Sequence, residues 1–240
     1  MNAQAVFFDL DDTLCDFTSA WNLAISEVHT QTVSRFSGLE APELQAAWEE
    51  TWAEQLAHLA LPGETMARVR DSRFQRCLSK LGISDDEFAN EVNLKLGYRM
   101  LEGLKLFSDA QVLEPLRATW PTAIVTNGAD DSHPDSQRSK AEHLGLINLT
   151  DGFFASDSWG MRKPGPHFLV RCAEEMGLEP GRVIYVGDSI DSDVVGANRA
   201  GMTSVLIWRS QRPVPDLNGE QRPRVVIHSL TELLNWTEFN

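Results

Sequence analysis

Residues 5–14 read Ala-Val-Phe-Phe-Asp-Leu-Asp-Asp-Thr-Leu, an apolar run that turns acidic in a single step. Ala5-Val6-Phe7-Phe8 has the length and side chains of a strand buried on both faces, as in a parallel sheet. Strand side chains alternate with a period of two, so Asp9 and Asp11 emerge on one side of the strand's C-terminal edge. Open α/β sheets bind their ligands at that edge. Two carboxylates so close repel unless a cation lies between them or one is protonated, and a purely structural strand end has no use for the pair. Asp12 points elsewhere and reads as a turn or cap residue.

Working outward, short apolar runs recur at 123–125, 153–154, 183–186, 204–207 and, more weakly, 225–227. Helical patterns separate them at about 109–118, 135–144, 165–176 and 192–200. That alternation predicts an α/β fold, a doubly wound parallel (Rossmann-like) sheet. One interval breaks the rhythm: from about 16 to 100 the sequence carries no strand pattern, only helical stretches near 17–36, 41–60, 63–81 and 85–98. Leu44, Ala47, Trp48, Thr51 and Trp52 recur at spacings of three and four, which places them on one helix face. The expected organisation is therefore a Rossmann-like core of residues 1–15 and 101–240, interrupted by an inserted helical domain at 16–100.

The other strand ends repeat the chemistry of the first. The run at 183–186 leads into Gly187-Asp188, with Asp191 and Asp193 just beyond, so a second acidic cluster meets the same sheet edge. Hard carboxylate oxygens from two strands suit Mg²⁺. Thr126-Asn127-Gly128 follows the run at 123–125 and offers a hydroxyl and backbone N–H groups with little side-chain bulk. Lys163-Pro164 precedes the helix at 165–176, where an ammonium can reach a phosphate or a carboxylate.

Asp9-x-Asp11-x-Thr13, Thr126-Asn127-Gly128, Lys163-Pro164 and Gly187-Asp188 with Asp193, in that order, resemble the motifs of the haloacid dehalogenase superfamily of phosphohydrolases. The chain is also similar to the branch holding nucleotide and sugar-phosphate monophosphatases, and the insert resembles that superfamily's α-helical cap. The resemblance implies Asp9 as nucleophile, Asp11 as general acid and base, and Lys163 as the group that neutralises charge on nucleophile and phosphate. It implies Leu10, Thr126, Asn127 and Gly128 as substrate-binding positions. Asp9, Asp11 through its main-chain carbonyl, and Asp188 would hold Mg²⁺, with Asp193 acting on the metal through water. The implied activity is hydrolysis of a small phosphomonoester through an aspartyl-phosphate. Haloacid dehalogenases of this superfamily lack an aspartate at the position of Asp11, and phosphomutases usually carry glycine where Asp12 stands. Both remain alternatives on the same fold, as do a switch phosphorylated on Asp9 and a degenerate scaffold.

Specificity is expected in the insert. Arg68, Arg70, Arg73 and Arg76 are candidates to contact an anionic substrate tail and Trp21 to stack on a base or sugar, the alternative being an exposed basic helix face and a core tryptophan. The segment 129–136 is longer than the usual spacing and carries Asp130, Asp131, His133 and Asp135; it reads either as a solvated acidic loop or as a rim that narrows substrate entry. Trp208 and Arg209 close the run at 204–207 and read as packing residues.

Composition narrows the classes further. The 240 residues hold 21 Lys and Arg against 35 Asp and Glu, a net charge of −14. That balance argues against nucleic acid and anionic membrane as partners, which need clustered basic residues. Cys15, Cys77 and Cys172 are odd in number and unpaired in spacing, which suits a reducing compartment. No apolar run approaches a membrane span, and the residues ahead of Ala5 leave no room for a signal peptide, so a cytoplasmic monomer or homodimer is expected.

Overall fold

The computed structural model describes residues 3–59, 61 and 63–235. By its contacts the chain forms two compact units. The first comprises Met1–Asp16, Lys105–Asn127 and Ala141–Asn240; the second comprises Phe17–Leu104 and Gly128–Lys140.

The first unit is built on a six-stranded sheet: β1 (Ala5–Phe8), β2 (Thr122–Thr126), β3 (Gly152–Ala155), β4 (Val183–Gly187), β5 (Thr203–Ile207) and β6 (Val225–Ile227). Every pairing is parallel and the order is β3-β2-β1-β4-β5-β6, so the expected doubly wound sheet is present. The strand order reverses beside β1, and the crevice at such a reversal is where this architecture binds ligands. All residues of β1, β2 and β4 are buried, which explains why these strands read as continuous apolar runs rather than alternating ones. Phe7, Val125 and Tyr185 share one apolar layer with Phe168, Leu169 and Cys172.

The helical segments of both units follow in chain order. The second unit contributes α1 (Phe17–Arg35), α2 (Ala41–His58), α3 (Met66–Lys80) and α4 (Asp86–Gly103). The first unit then contributes α5 (Leu113–Arg117), the second α6 (Gln137–His143), most of which precedes Ala141, and the first α7 (Pro166–Glu175) and α8 (Val195–Arg199). Two expected helices begin irregularly: a 3-10 turn at Ser108–Val112 leads into α5, and a π turn at Ile190–Val194 leads into α8. The helix expected at 41–60 ends at His58, and Ala60 lies outside the described residues.

The four long helices bury faces at helical spacing: Ala20, Ala24, Val28 and Thr32 on α1, and Val92, Leu96 and Met100 on α4. On α2 the buried face is Leu44, Ala47, Trp48, Thr51 and Gln55, so Gln55 rather than Trp52 completes the stripe, with the Trp48 ring 4.9 Å from that of Phe74. Helix starts are fixed by side chains: Thr65 accepts from the Arg68 N–H and Asp85 from the Phe88 N–H.

The segment after Gly128 departs from expectation. Residues 129–136 were expected in the core domain, yet their contacts lie with the four helices. The reason is charge pairing. Arg70 grips Asp131 through both terminal nitrogens at 3.0 and 2.9 Å, and Arg73 donates to Asp135 at 2.7 Å and to Asn93 at 2.7 Å. Pro134 packs on Gly97 of α4 so closely that a Cβ there would lie 2.8 Å from the proline ring. The segment is thus not merely a solvated acidic loop; it is part of the helical unit.

Candidate active site

Asp9 follows β1 directly, and its N–H donates to Val186 of β4 at 2.9 Å, which continues the sheet register by one residue. Asp12 adopts a left-handed backbone with φ of 54°, in keeping with its reading as a turn residue. Beyond it, Thr13 donates its hydroxyl to Asp188 at 3.2 Å. Asp188 leaves β4 after Gly187, and the chain then winds back so that Asp193 folds over Gly187. A Cβ at position 187 would lie 2.3 Å from the Asp193 carboxylate, so this position needs glycine for its lack of a side chain. The Ser189 N–H donates to Asp193 at 3.0 Å and holds the second oxygen of that carboxylate.

One carboxylate oxygen from each of Asp9, Asp188 and Asp193 lies within 4.8 Å of the others. Lys163, 3% exposed, bridges two of them, with its ammonium 2.7 Å from both Asp9 and Asp193. Its backbone is clipped in place: Asn127 Nδ2 donates to the Lys163 carbonyl at 2.9 Å, and the Lys163 N–H donates to Asn127 Oδ1 at 2.9 Å. The Asn127 side chain therefore secures the lysine, a role the motif spacing does not reveal. Thr126 ends β2, nearly fully buried. Gly128 follows with φ of 147°, and a Cβ there would lie 2.6 Å from the Gln137 side chain, so both backbone and space favour glycine.

Three carboxylates against one ammonium leave two negative charges in a buried space. The excess shows in the proton affinities. Burial pushes Asp9 up to about 6, offset in part by Lys163 and reinforced by Asp193 and Asp11. Burial, then Asp9, Asp193 and Asp12, push Asp188 up to about 8. Burial alone would lower the proton affinity of Lys163, but Asp193 and Asp9 outweigh it and the net shift is upward. A divalent cation carries the charge needed to balance the site, and the oxygen-only donor set matches Mg²⁺.

Arg209 lies within the same unit and does more than pack. It donates to the Thr13 carbonyl at 2.7 Å and to both oxygens of Asp109 at 3.1 Å, so it braces the turn after Asp11. The four arginines divide: Arg68 and Arg76 are exposed, as on a basic helix face, whereas Arg70 and Arg73 are not. Arg70 and Arg73 are buried and paired with carboxylates, and the Arg73 guanidinium stands 5.1 Å from the Trp21 ring. Arg68 donates to the Gly63 carbonyl at 2.8 Å.

Comparison with known proteins agrees with this geometry. The family model for haloacid dehalogenase-like hydrolases matches residues 3–201. The chain belongs to that family. It is 25% identical over 234 residues to N-acylneuraminate-9-phosphatase of Rattus norvegicus, covering 96% of this chain and 92% of the relative. It is 28% identical to phosphoserine phosphatase of Thermus thermophilus, covering 87% and 90%. Among solved structures, a HAD phosphatase from Thermococcus onnurineus superposes with a TM-score of 0.70 at 26% identity, covering 98% and 97%. As a haloacid dehalogenase-like hydrolase, the chain carries its acidic residues where β1 and β4 end, beside the reversal of the sheet.

Proposed function

We propose that this haloacid dehalogenase-like hydrolase is a Mg²⁺-dependent phosphomonoesterase of a small phosphorylated metabolite. The observation that carries the proposal is the cluster of Asp9, Asp188 and Asp193 with the Lys163 ammonium on Asp9 and Asp193, and a further carboxylate, Asp11, close enough to raise the pKa of Asp9. The phosphatase names of the relatives support it.

In this reading an Asp9 oxygen attacks phosphorus, and the bond from phosphorus to the ester oxygen breaks. Splitting the hydrolysis at an aspartyl-phosphate replaces one difficult step by two easier ones. Asp11 gives its proton to the departing oxygen, so an alcohol leaves. The Asp11 carboxylate then takes a proton from water, whose oxygen attacks phosphorus and frees Asp9 with release of orthophosphate. General acid and base catalysis of this kind contributes roughly 10²–10⁴-fold. Thr126 and the backbone amides of Asn127 and Gly128 hold the phosphoryl oxygens, Lys163 offsets charge on nucleophile and phosphate, and Leu10 lies beside the nucleophile. Asp9, the Asp11 carbonyl and Asp188 would hold Mg²⁺, with Asp193 behind them. When bound, the ion offsets charge that builds on the phosphoryl oxygens.

Asp11 separates this reading from haloacid dehalogenation, which expels a halide and needs no proton delivered. The decisive assay is orthophosphate release from an aryl phosphate with Mg²⁺, abolished by Asp9→Asn and by chelator. Turnover of 2-chloropropionate with no turnover across a panel of sugar, nucleotide and amino-acid phosphates would reverse the assignment. We place the protein in the cytoplasm, since Cys15, Cys77 and Cys172 are buried thiols with no disulfide among the described residues, as a reducing compartment allows. Among the described residues no helix is long and apolar enough to cross a membrane.

A further inference from the structure

The Lys163 ammonium has three N–H donors and uses all of them. Two go to carboxylates of the acidic cluster, Asp9 and Asp193. The third goes to the hydroxyl of Tyr185 at 2.7 Å. Tyr185 lies within β4, three residues before Asp188, and is 1% exposed.

Its hydroxyl has a single proton to give. The Val125 carbonyl is 2.7 Å away and the nearer Asp193 oxygen 3.3 Å, so the proton is directed at Val125. That leaves a lone pair facing the ammonium, and the hydroxyl is orientated by its own donation. Val125 immediately precedes Thr126, so a chain of two short hydrogen bonds runs from the lysine head group to the end of β2. The ring itself packs with Phe7, Phe168 and Cys172 in the apolar layer. Phenylalanine would fill that space as well. Burying a hydroxyl is costly unless it is hydrogen-bonded, and here both of its short bonds lead to the site.

We propose that Tyr185 is a positioning residue for Lys163: its hydroxyl holds the ammonium between Asp9 and Asp193 and ties it to the strand end that bears Thr126. The inference rests on the phosphomonoesterase reading and extends it by one residue outside the motifs. Without the hydroxyl the ammonium keeps its charge and two carboxylates but loses the contact that fixes its position. Lysine stabilises charge that develops in the transition state, so the loss should fall on kcat rather than KM.

The test uses the full-length protein. Tyr185→Phe is expected to lower kcat for an aryl phosphate by about tenfold to a hundredfold, the span of one hydrogen bond to a charged group, while KM changes less than threefold. A second measurement needs neither turnover nor the variant. The chain has two tyrosines, Tyr98 and Tyr185, and Tyr98 is exposed. Protein labelled with 3-fluorotyrosine in a Tyr98→Phe background therefore gives one ¹⁹F resonance, and Lys163→Met should shift it. A folded Tyr185→Phe variant with kcat within twofold of wild type would overturn the proposal, as would a ¹⁹F resonance indifferent to Lys163→Met. A wild-type protein inactive on every phosphate tested would instead sink the phosphomonoesterase reading, a result told apart by assaying wild type first.

Discussion

The buried pair between Arg73 and Asp135 makes a quantitative prediction. Their side chains are 3% and 9% exposed and 2.7 Å apart. Asp135→Ala leaves the guanidinium in place with Asn93 as a neutral acceptor and the Trp21 ring nearby, but with no carboxylate on it. Removing one partner of a buried pair costs about 3–5 kcal/mol, because the other charge stays desolvated. With Asn93 retained, the lower end applies, about 3 kcal/mol. The neighbouring pair is a control: Asp131 is 38% exposed, so solvent screens it, and Asp131→Ala should cost no more than about 1 kcal/mol. Replacing both members, as in Arg73→Met with Asp135→Ala, should recover part of the loss of Asp135→Ala alone, since no charge is then stranded. Urea denaturation followed by circular dichroism measures all four proteins. The reasoning fails if Asp135→Ala costs less than about 1 kcal/mol, or if the double variant is less stable than Asp135→Ala.

Three further outcomes are expected. Asp9 and Asp188 hold their protons up to about 6 and about 8 in the folded protein, against 3.8 for a free aspartate, so the folded state binds more protons across that window. Metal-free protein should therefore lose stability as pH rises from about 4 to 8, while the gain in Tm on adding Mg²⁺ should grow over the same range; thermal melts with Mg²⁺ and with chelator test the sign. Asp11→Asn should lower kcat for an alkyl phosphate by at least ~10²-fold, and less for an aryl phosphate whose leaving group needs no proton, which steady-state kinetics with both substrates will show. Gly187→Ala puts a methyl group where the Asp193 carboxylate lies, 2.3 Å away, so calorimetric titration should show weakened Mg²⁺ binding; unchanged affinity would contradict the packing described.

Much of the architecture was legible because buried parallel strands are apolar along their whole length, and Val6-Phe7-Phe8 and Val183-Ile184-Tyr185-Val186 leave little choice. The acidic residues were legible as well, because Asp9 and Asp188 directly follow strands and Asp193 lies just beyond, and like charges gather there only for a reason. What stayed hidden was pairing across the sequence. Nothing local to Arg70 or Arg73 tells that carboxylates some sixty positions away will cover them, and a run of arginines on a helix reads equally as an exposed face. Asn127 looked like a phosphate-loop residue because its backbone is read before its side chain, yet the amide group clips Lys163. Tyr185 looked like one more core aromatic, since a hydroxyl announces its partner only when the fold is known.

The membership of Gly128–Lys140 in the helical unit has a consequence for modularity. An insertion is easily pictured as a cassette with one entry and one exit, to be cut out or exchanged between relatives. Here residues 17–104 alone would lack the carboxylates of Asp131 and Asp135, leaving Arg70 with Asp71 only and Arg73 as a stranded charge. A working exchange has to transplant two stretches of chain together, and the second begins at the glycine that closes Thr126-Asn127-Gly128. Grafting a new insert therefore also rewrites the C-terminal side of the Thr126-Asn127-Gly128 run.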